Sequence, residues 1–330
     1  MTGSAEVLQA KVRARSNIAL VKYWGKSDKT LNTPAVGSIS ITLNDLWTDT
    51  QVSFDPALAS DRLELDGKSR VDQLARVSGC LDLLREIAGV STRAAVVSHN
   101  NFPTGAGLAS SASGFAALVG AAAAALKLDC SFKELSILAR RGSGSAARSL
   151  FGGYVEMHKG EARDGSDSFA EPIAAAEAWP LKVLVAITTR AEKAVGSGPG
   201  MAMSAESSPY YAQWVATHPG DLSLAREAIA NQDFALLAQV SEASCLKMHA
   251  AAMSTQPPLI YWNGATLDCV NQIRTLRADG LPVFFTIDAG PQVKAICLPH
   301  AAADVQAALA AVDGVTEVLE TELGPGLEQL

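Results

Sequence analysis

Apolar residues recur at intervals of three and four between positions 71 and 87, namely Val71, Leu74, Val77, Leu81, Leu84 and Ile87. That spacing predicts an amphipathic helix with one face on a core. Upstream, short alternating apolar stretches broken by Gly, Pro or Asp predict strands around 12–16, 38–43 and 51–54 in one sheet. A strand at 94–98 follows. The segment 110–127, with Ala116, Ala117 and an alanine run at 121–125, is a strong helix former, apolar nearly all round, so its place is inside the protein. Beyond position 181 the pattern changes. An apolar run at 183–187 leads into a helical region over 202–253 and a helix at 264–277. A strand at 283–287, a turn at 288–292, a strand at 293–298, a helix at 302–312 and a strand at 317–323 complete the chain. The order in this half is β-α-β-β-α-β, that of a ferredoxin-like split unit. The expected class is therefore α+β in two domains, 1–178 and 179–330, with the boundary between 177 and 180. The Asp-, Gly- and Ser-rich stretch 161–171 reads as an exposed loop.

A chain of 330 residues suits two such domains, and 48% hydrophobic with 18% charged residues provides core for both without staples. The five cysteines, Cys80, Cys130, Cys245, Cys269 and Cys297, are odd in number and widely spaced, which suggests neither a disulfide framework nor a zinc site. The five histidines show no metal-ligand spacing. With no cationic start before an apolar run and no stretch of about 18 apolar residues, the expectation is a cytoplasmic protein without a membrane partner. The net charge of −7 argues against nucleic acid as a partner. Yet Lys11, Arg13, Arg15, Lys22, Lys26 and Lys29 face only Asp28 within 11–29, interleaved with Ile18, Leu20, Val21, Tyr23 and Trp24. Cations held against apolar surface on an acidic protein point to a small anionic ligand.

The segment Pro103-Thr104-Gly105-Ala106-Gly107-Leu108-Ala109-Ser110-Ser111-Ala112-Ser113-Gly114 runs from a strand end through glycines into a helix N-terminus. Glycines let the backbone approach a ligand, and free amides with the helix dipole favour negative charge. Taken alone, the same residues describe a tight turn with serine caps. The loop lacks the Lys-Ser/Thr ending of a Walker A site. Its Pro-x-x-x-Gly-Leu-x-Ser-Ser-Ala pattern resembles the phosphate loop of the GHMP small-molecule kinases. Three further segments resemble one branch of them, the diphosphomevalonate decarboxylases: Asn17-Ile18-Ala19-Leu20-Val21-Lys22-Tyr23-Trp24-Gly25-Lys26, with Leu31-Asn32 and Ser38-Ile39-Ser40 after it, then Arg141-Gly142-Ser143-Gly144-Ser145-Ala146-Ala147-Arg148-Ser149-Leu150-Phe151-Gly152-Gly153, and Thr286-Ile287-Asp288-Ala289-Gly290-Pro291. They stand in the family's order, and the likeness runs from about Val12 to Leu298.

The resemblance implies a GHMP-kinase-like fold, with an N-terminal unit like domain 2 of ribosomal protein S5 and a C-terminal ferredoxin-like unit around a deep cleft. It implies ATP-dependent decarboxylation of mevalonate 5-diphosphate to isopentenyl diphosphate through transient 3-phosphorylation, with ATP as co-substrate, Mg²⁺, and a homodimer. Asp288 is the implied carboxylate at the 3-hydroxyl, as base or as electrostatic guide. Lys22 is its cationic neighbour. Arg148 is the implied grip on the substrate carboxylate, although an arginine there could equally be a structural ion pair. Asn17 supports Arg148 or the substrate. Tyr23, Lys26, Ser143 and Ser145 fall to the substrate diphosphate. Pro103, Gly105, Gly107, Leu108, Ala109, Ser110 and Ser111 fall to the nucleotide phosphates, with Ser111 also toward its Mg²⁺. The motifs do not locate the adenine pocket, for which 60–80 and 190–200 are the candidate segments. Gly105, Ser113, Gln292 and Ala147 depart from residues common in the family and bear on loop conformation and nucleotide fit. A mevalonate 5-phosphate decarboxylase or a mevalonate 3-kinase would share this scaffold. A non-catalytic kinase-like sensor is the alternative from another class, and its mark would be loss of the acid at 288.

Overall fold

The computed structural model describes residues 6–102, 110–191 and 193–330. Two long strands dominate the first half, Leu8–Val21 and Ser38–Phe54, antiparallel and paired from Leu8 with Phe54 to Val21 with Ile39. The second of these unites the two strands expected at 38–43 and 51–54, since Asn44 and Asp45, which read as a break, are carried within it. The strand Ala94–Asn100 pairs antiparallel with Ser38–Phe54 and parallel with Arg62–Leu65. On one face lie the helices Val71–Ala88 and Ser110–Ala125, whose Leu81, Leu84, Ala116 and Ala121 meet Val12, Val52, Phe54 and Val96. Helix Ser110–Ala125 is buried as expected, and its small residues let it lie close. A Cβ at Gly120 would come 2.7 Å from the Leu327 side chain.

The second sheet has four antiparallel strands in the spatial order Val283–Ile287, Val293–Cys297, Lys182–Ile187 and Glu317–Glu322. With helices Gly264–Ala278 and Ala302–Ala310 this is the expected ferredoxin-like arrangement. Lys182–Ile187, Val283–Ile287 and Val293–Cys297 are largely apolar without alternation because both faces are buried, whereas the edge strand Glu317–Glu322 exposes its three glutamates. Val183, Val185 and Ile187 pack toward the first sheet with Ile18, Ile39 and Ile41, while Leu184 and Ala186 pack outward with Val270, Ile273 and Val305. The helical region expected over 202–253 is three helices, Ser197–Ser207, Tyr211–Asn231 and Phe234–Met253. Asp233 caps the third by accepting the Leu236 N–H at 3.0 Å. Leu222 and Leu237 from the last two fill the space between the sheets.

Several elements went unread in the sequence, the strand Arg62–Leu65 among them. Helix Phe132–Gly142 opens with a capping box of Ser131 and Glu134. A 3-10 turn spans Ala146–Leu150, and a short ladder joins Tyr154–Met157 to Ala170–Ala174, so the end of the expected 161–171 loop is strand. Lastly, Glu328–Gln329 returns to the first sheet beside Val12 and Arg13. Among the described residues no helix is long and apolar enough to cross a membrane.

Candidate active site

A cavity of about 770 Å³ opens between the two sheets. Asn17, Lys22, Tyr23, Lys26, Ser110, Ser111, Ser143, Ser145, Arg148 and Asp288 all line it. Pro103, Gly105, Gly107, Leu108 and Ala109 lie outside the described residues. The long strand Leu8–Val21 brings the first group. Its pairing slips between Arg15 and Asn17 and again between Ala19 and Val21, irregularities that re-aim side chains at a strand end. Asn17 follows the first slip within the strand, and Lys22 follows the second just past its end. Gly25 follows at φ +107, a conformation in which a side chain would be strained.

Arg148 stands on the 3-10 turn and is 2% exposed. Its Nε donates to Ser40 Oγ at 2.9 Å, its Nη1 to Ser38 Oγ at 2.5 Å and its Nη2 to Asn17 Oδ1 at 3.0 Å. Asn17 is fixed in turn, its Nδ2 donating to Ser149 Oγ at 2.8 Å and to the Ser145 carbonyl at 3.0 Å. Arg148 makes no ion pair among the described residues, so the reading of it as half of a structural salt bridge falls away. Burial pushes its guanidinium down to about 10, which leaves it charged at neutral pH.

Asp288 stands where strand Val283–Ile287 ends, in a tight turn closed by the Gly290 N–H donating to the Asp288 carbonyl at 2.7 Å. Its side chain is 25% exposed, towards the cavity. Lys22 Nζ sits 2.6 Å from Oδ1 and Lys294 Nζ 3.5 Å from Oδ2. Both lysine side chains are 1% exposed. Burial by itself would push the Asp288 carboxyl up. The attraction of Lys22 and then Lys294 outweighs it and holds the group well below the usual carboxylate range. Asp288 is therefore an anion at neutral pH.

Between these centres runs a line of hydroxyls. Ser111 Oγ lies 3.2 Å from Ser143 Oγ, which lies 3.3 Å from Ser145 Oγ. Tyr23 packs over Gly144, where a Cβ would come 2.7 Å from the ring, and its buried hydroxyl has no hydrogen-bond partner among the described residues. Burial pushes that phenol up to about 12, so it is a neutral donor. Lys26 opens on the same wall, its ammonium lowered by burial and then by Arg76 and Lys29. Hydroxyls, cations and a lone carboxylate suit phosphate ligands. No group of three or more His, Cys, Asp or Glu side chains among the described residues could hold a metal by itself. The donor set thus fits a magnesium ion carried on nucleotide phosphates, with the hydroxyls of Ser110 and Ser111 at the start of the helix on the cavity wall.

Lys294, Lys193 and Arg76 are among the lining or neighbouring cations that escaped the sequence reading. Lys294 is the only charge in the buried strand Val293–Cys297, and a lysine amid Val, Ala, Ile and Cys was a legible signal. Lys193 Nζ donates to the Ala289 carbonyl at 3.0 Å and to Ser197 Oγ at 2.9 Å. Arg76 Nε donates to the Gly142 carbonyl at 2.6 Å while its guanidinium lies 4.3 Å over the Phe115 ring. Leu63, Leu65, Gln73 and Val77, with 196–199, also line the cavity, so both candidate adenine segments reach it.

The pattern of the family described as the diphosphomevalonate decarboxylase-like N-terminal domain matches residues 14–170, and that of the mevalonate 5-diphosphate decarboxylase C-terminal domain matches 183–323. The diphosphomevalonate decarboxylase of Saccharomyces cerevisiae is 39% identical over 303 residues, covering 86% of this chain and 76% of the relative. The chain belongs to the diphosphomevalonate decarboxylase family. Among solved members, the mevalonate diphosphate decarboxylase of Staphylococcus aureus superposes with a TM-score of 0.93 at 35% identity, covering 98% of both chains. A structure of MDDEF in complex with MVAPP, AMPPCP and magnesium superposes with a TM-score of 0.91 at 39% identity, covering 98% of this chain and 99% of the other. The two-domain α+β fold of this diphosphomevalonate decarboxylase family member is thereby that of the GHMP kinases.

Proposed function

We propose that this chain catalyses the ATP-dependent decarboxylation of mevalonate 5-diphosphate to isopentenyl diphosphate, with Asp288, Lys22, Arg148 and Asn17 at the reacting end. The observation that carries the assignment of residues is the pairing of a compensated carboxylate, Asp288 between Lys22 and Lys294, with an uncompensated buried arginine, Arg148, in one cavity. A tertiary alcohol is a poor nucleophile. Asp288 would accept a hydrogen bond from the 3-hydroxyl and take its proton as the oxygen bonds the γ-phosphorus and the bond to ADP breaks. A carboxyl held this low is a weak base, which favours orientation of the hydroxyl over early proton removal.

In the second step the bond to the carboxylate carbon breaks, CO₂ leaves, and its electron pair forms the new double bond as phosphate departs with the C–O electrons. Arg148 would hold the carboxylate in place by its planar fork until then. Tyr23, Lys26, Ser143 and Ser145 would bind the 5-diphosphate; Ser110 and Ser111, with the loop from Pro103, would receive the ATP phosphates. Magnesium, when bound, would neutralise charge between the β- and γ-phosphates, and Ser111 is the residue proposed to touch it.

A division near 178–180, a cytoplasmic location and a homodimer complete the reading. Support comes from the gap between the two matched family segments and from five free thiols, four of them buried. Sedimentation of the purified chain tests the dimer. A coupled assay offering mevalonate 5-phosphate and mevalonate 5-diphosphate side by side tests the substrate: preference for the diphosphate is expected, and preference for the monophosphate overturns the assignment.

A further inference from the structure

The second sheet ends on the edge strand Val283–Ile287, whose outward backbone groups meet no further strand among the described residues. Buried peptide groups left without partners are costly. Helix Phe234–Met253 lies along this edge, and its side chains supply the partners. Glu242 Oε1 accepts the Phe285 N–H at 3.2 Å and is itself held by Arg277 at 2.7 and 3.1 Å. Cys245 Sγ accepts the Ile287 N–H at 3.2 Å and stands 3.5 Å from the Ile287 carbonyl oxygen. His249 Nε2 lies 3.2 Å from that same carbonyl. Positions 242, 245 and 249 are spaced three and four apart, so they form one stripe of the helix.

The same helix reaches the other half of the site. Ser244 Oγ accepts the backbone N–H of Lys22 at 2.9 Å. Thr286 Oγ1 donates at 3.2 Å to the Ala19 carbonyl, which also receives the Lys22 ammonium at 2.9 Å. Adjacent residues 244 and 245 therefore grip the peptides from which Lys22 and Asp288 project. Both are fully buried. Burial pushes the Cys245 thiol up to about 11 and the His249 imidazole down to about 3, so neither brings charge to Asp288. Their influence on it is positional.

We propose that Cys245, with Ser244 beside it, is a positioning residue for the reaction: it fixes the Ile287 peptide so that Asp288 enters the cavity in register with Lys22. This rests on the role proposed above for Asp288. The test compares Cys245→Ala, Cys245→Ser, Ser244→Ala and Asp288→Ala in the full chain by steady-state kinetics, binding of a non-hydrolysable ATP analogue and thermal melting. Cys245→Ala removes the acceptor for the Ile287 N–H, and kcat is expected to fall about tenfold or more, because small misplacements of a reacting group are costly. KM for both substrates and analogue binding are expected to stay within about twofold, the mark of an effect confined to the transition state. Cys245→Ser restores a hydroxyl acceptor and should recover most of kcat.

A wild-type kcat in Cys245→Ala, or equal impairment of the alanine and serine variants, overturns the proposal. If Cys245→Ala does not fold, Ser244→Ala carries the test: a fall in kcat at unchanged KM supports it and an unchanged kcat overturns it. Unimpaired Cys245→Ala beside inactive Asp288→Ala sinks this proposal alone, whereas full turnover by Asp288→Ala removes the reading of Asp288 on which it stands.

Discussion

Arg148, on a turn of the first unit, has its guanidinium wrapped by the neutral oxygens of Asn17, Ser38 and Ser40. Asp288, on the last residue past a strand of the second unit, has its carboxylate between the ammonium groups of Lys22 and Lys294. Both groups are taken largely out of water, and a buried charge is costly unless compensated. The two solutions differ in what they leave over. Around Arg148, each nitrogen has a neutral oxygen partner but the positive charge has no counterion among the described residues, so an anion entering the cavity completes the site. Around Asp288, the negative charge is already more than compensated by two ammonium groups, so a neutral hydroxyl can approach the carboxylate without a new ion to desolvate. One centre is built to receive a carboxylate and the other to receive an alcohol, which are the two groups on the reacting end of a 3-hydroxy acid.

Removing either centre should break this division. Asp288→Ala should lower kcat by about a thousandfold or more, as loss of a group at the transferring proton does, while a non-hydrolysable ATP analogue still binds. Near-normal turnover would remove Asp288 from the chemistry. Arg148→Lys keeps the charge but replaces the fork by a point donor that cannot reach Asn17, Ser38 and Ser40 together. A loss of about a hundredfold in kcat is expected. Full rate in that variant would make charge alone sufficient and the wrapping incidental.

Lys294→Met sharpens the comparison from the other side. With one of two cations gone, the Asp288 carboxyl rises toward its ordinary value, so the acid limb of the rate profile should move to higher pH. The loss of kcat at neutral pH should be about tenfold or less, since Lys22 remains. An unmoved acid limb would mean that Lys294 does not act through Asp288.

The smallest expected effect lies outside the site and serves as a control. His218, buried and donating to the Gly37 carbonyl at 2.8 Å, has its imidazole pushed down to about 4 by burial. Its folded form resists a proton that the unfolded chain takes up near 6.5, so stability should decline as pH falls from about 6.5 to 4. His218→Asn should flatten part of that decline in melting temperature without moving the acid limb of kcat. A shifted acid limb would show that the two regions are coupled.

The same contrast separates what the sequence makes legible from what it hides. Helix Val71–Ala88 and the strands Lys182–Ile187 and Val283–Ile287 follow from apolar spacing because each is decided by one face or by complete burial. Asn44 and Asp45 resemble a strand end and lie in the gap between the pairs Arg15–Trp47 and Asn17–Thr42, yet the strand resumes beyond them because Leu8–Val21 runs alongside on both sides, a tertiary effect no local pattern contains. The return of Glu328–Gln329 to the first sheet is two residues of pairing and leaves no periodic trace. Within the cavity, motifs pointed to Arg148, Asn17 and Asp288. The wrapping by Ser38 and Ser40 and the second ammonium from Lys294 come from strands far apart in the chain. Lys294 and the Ser131 capping box did carry signals, a charge in an apolar run and a serine three residues before Glu134, and both were open to a closer reading.

The most direct test is to give the purified chain mevalonate 5-diphosphate with ATP and magnesium and to count ADP, phosphate and CO₂ together, with Asp288→Ala alongside. Equal amounts of the three products from the wild-type chain, and none from the variant while it still binds nucleotide, is the expected result. ADP formed without CO₂, or undiminished CO₂ from the variant, would contradict it.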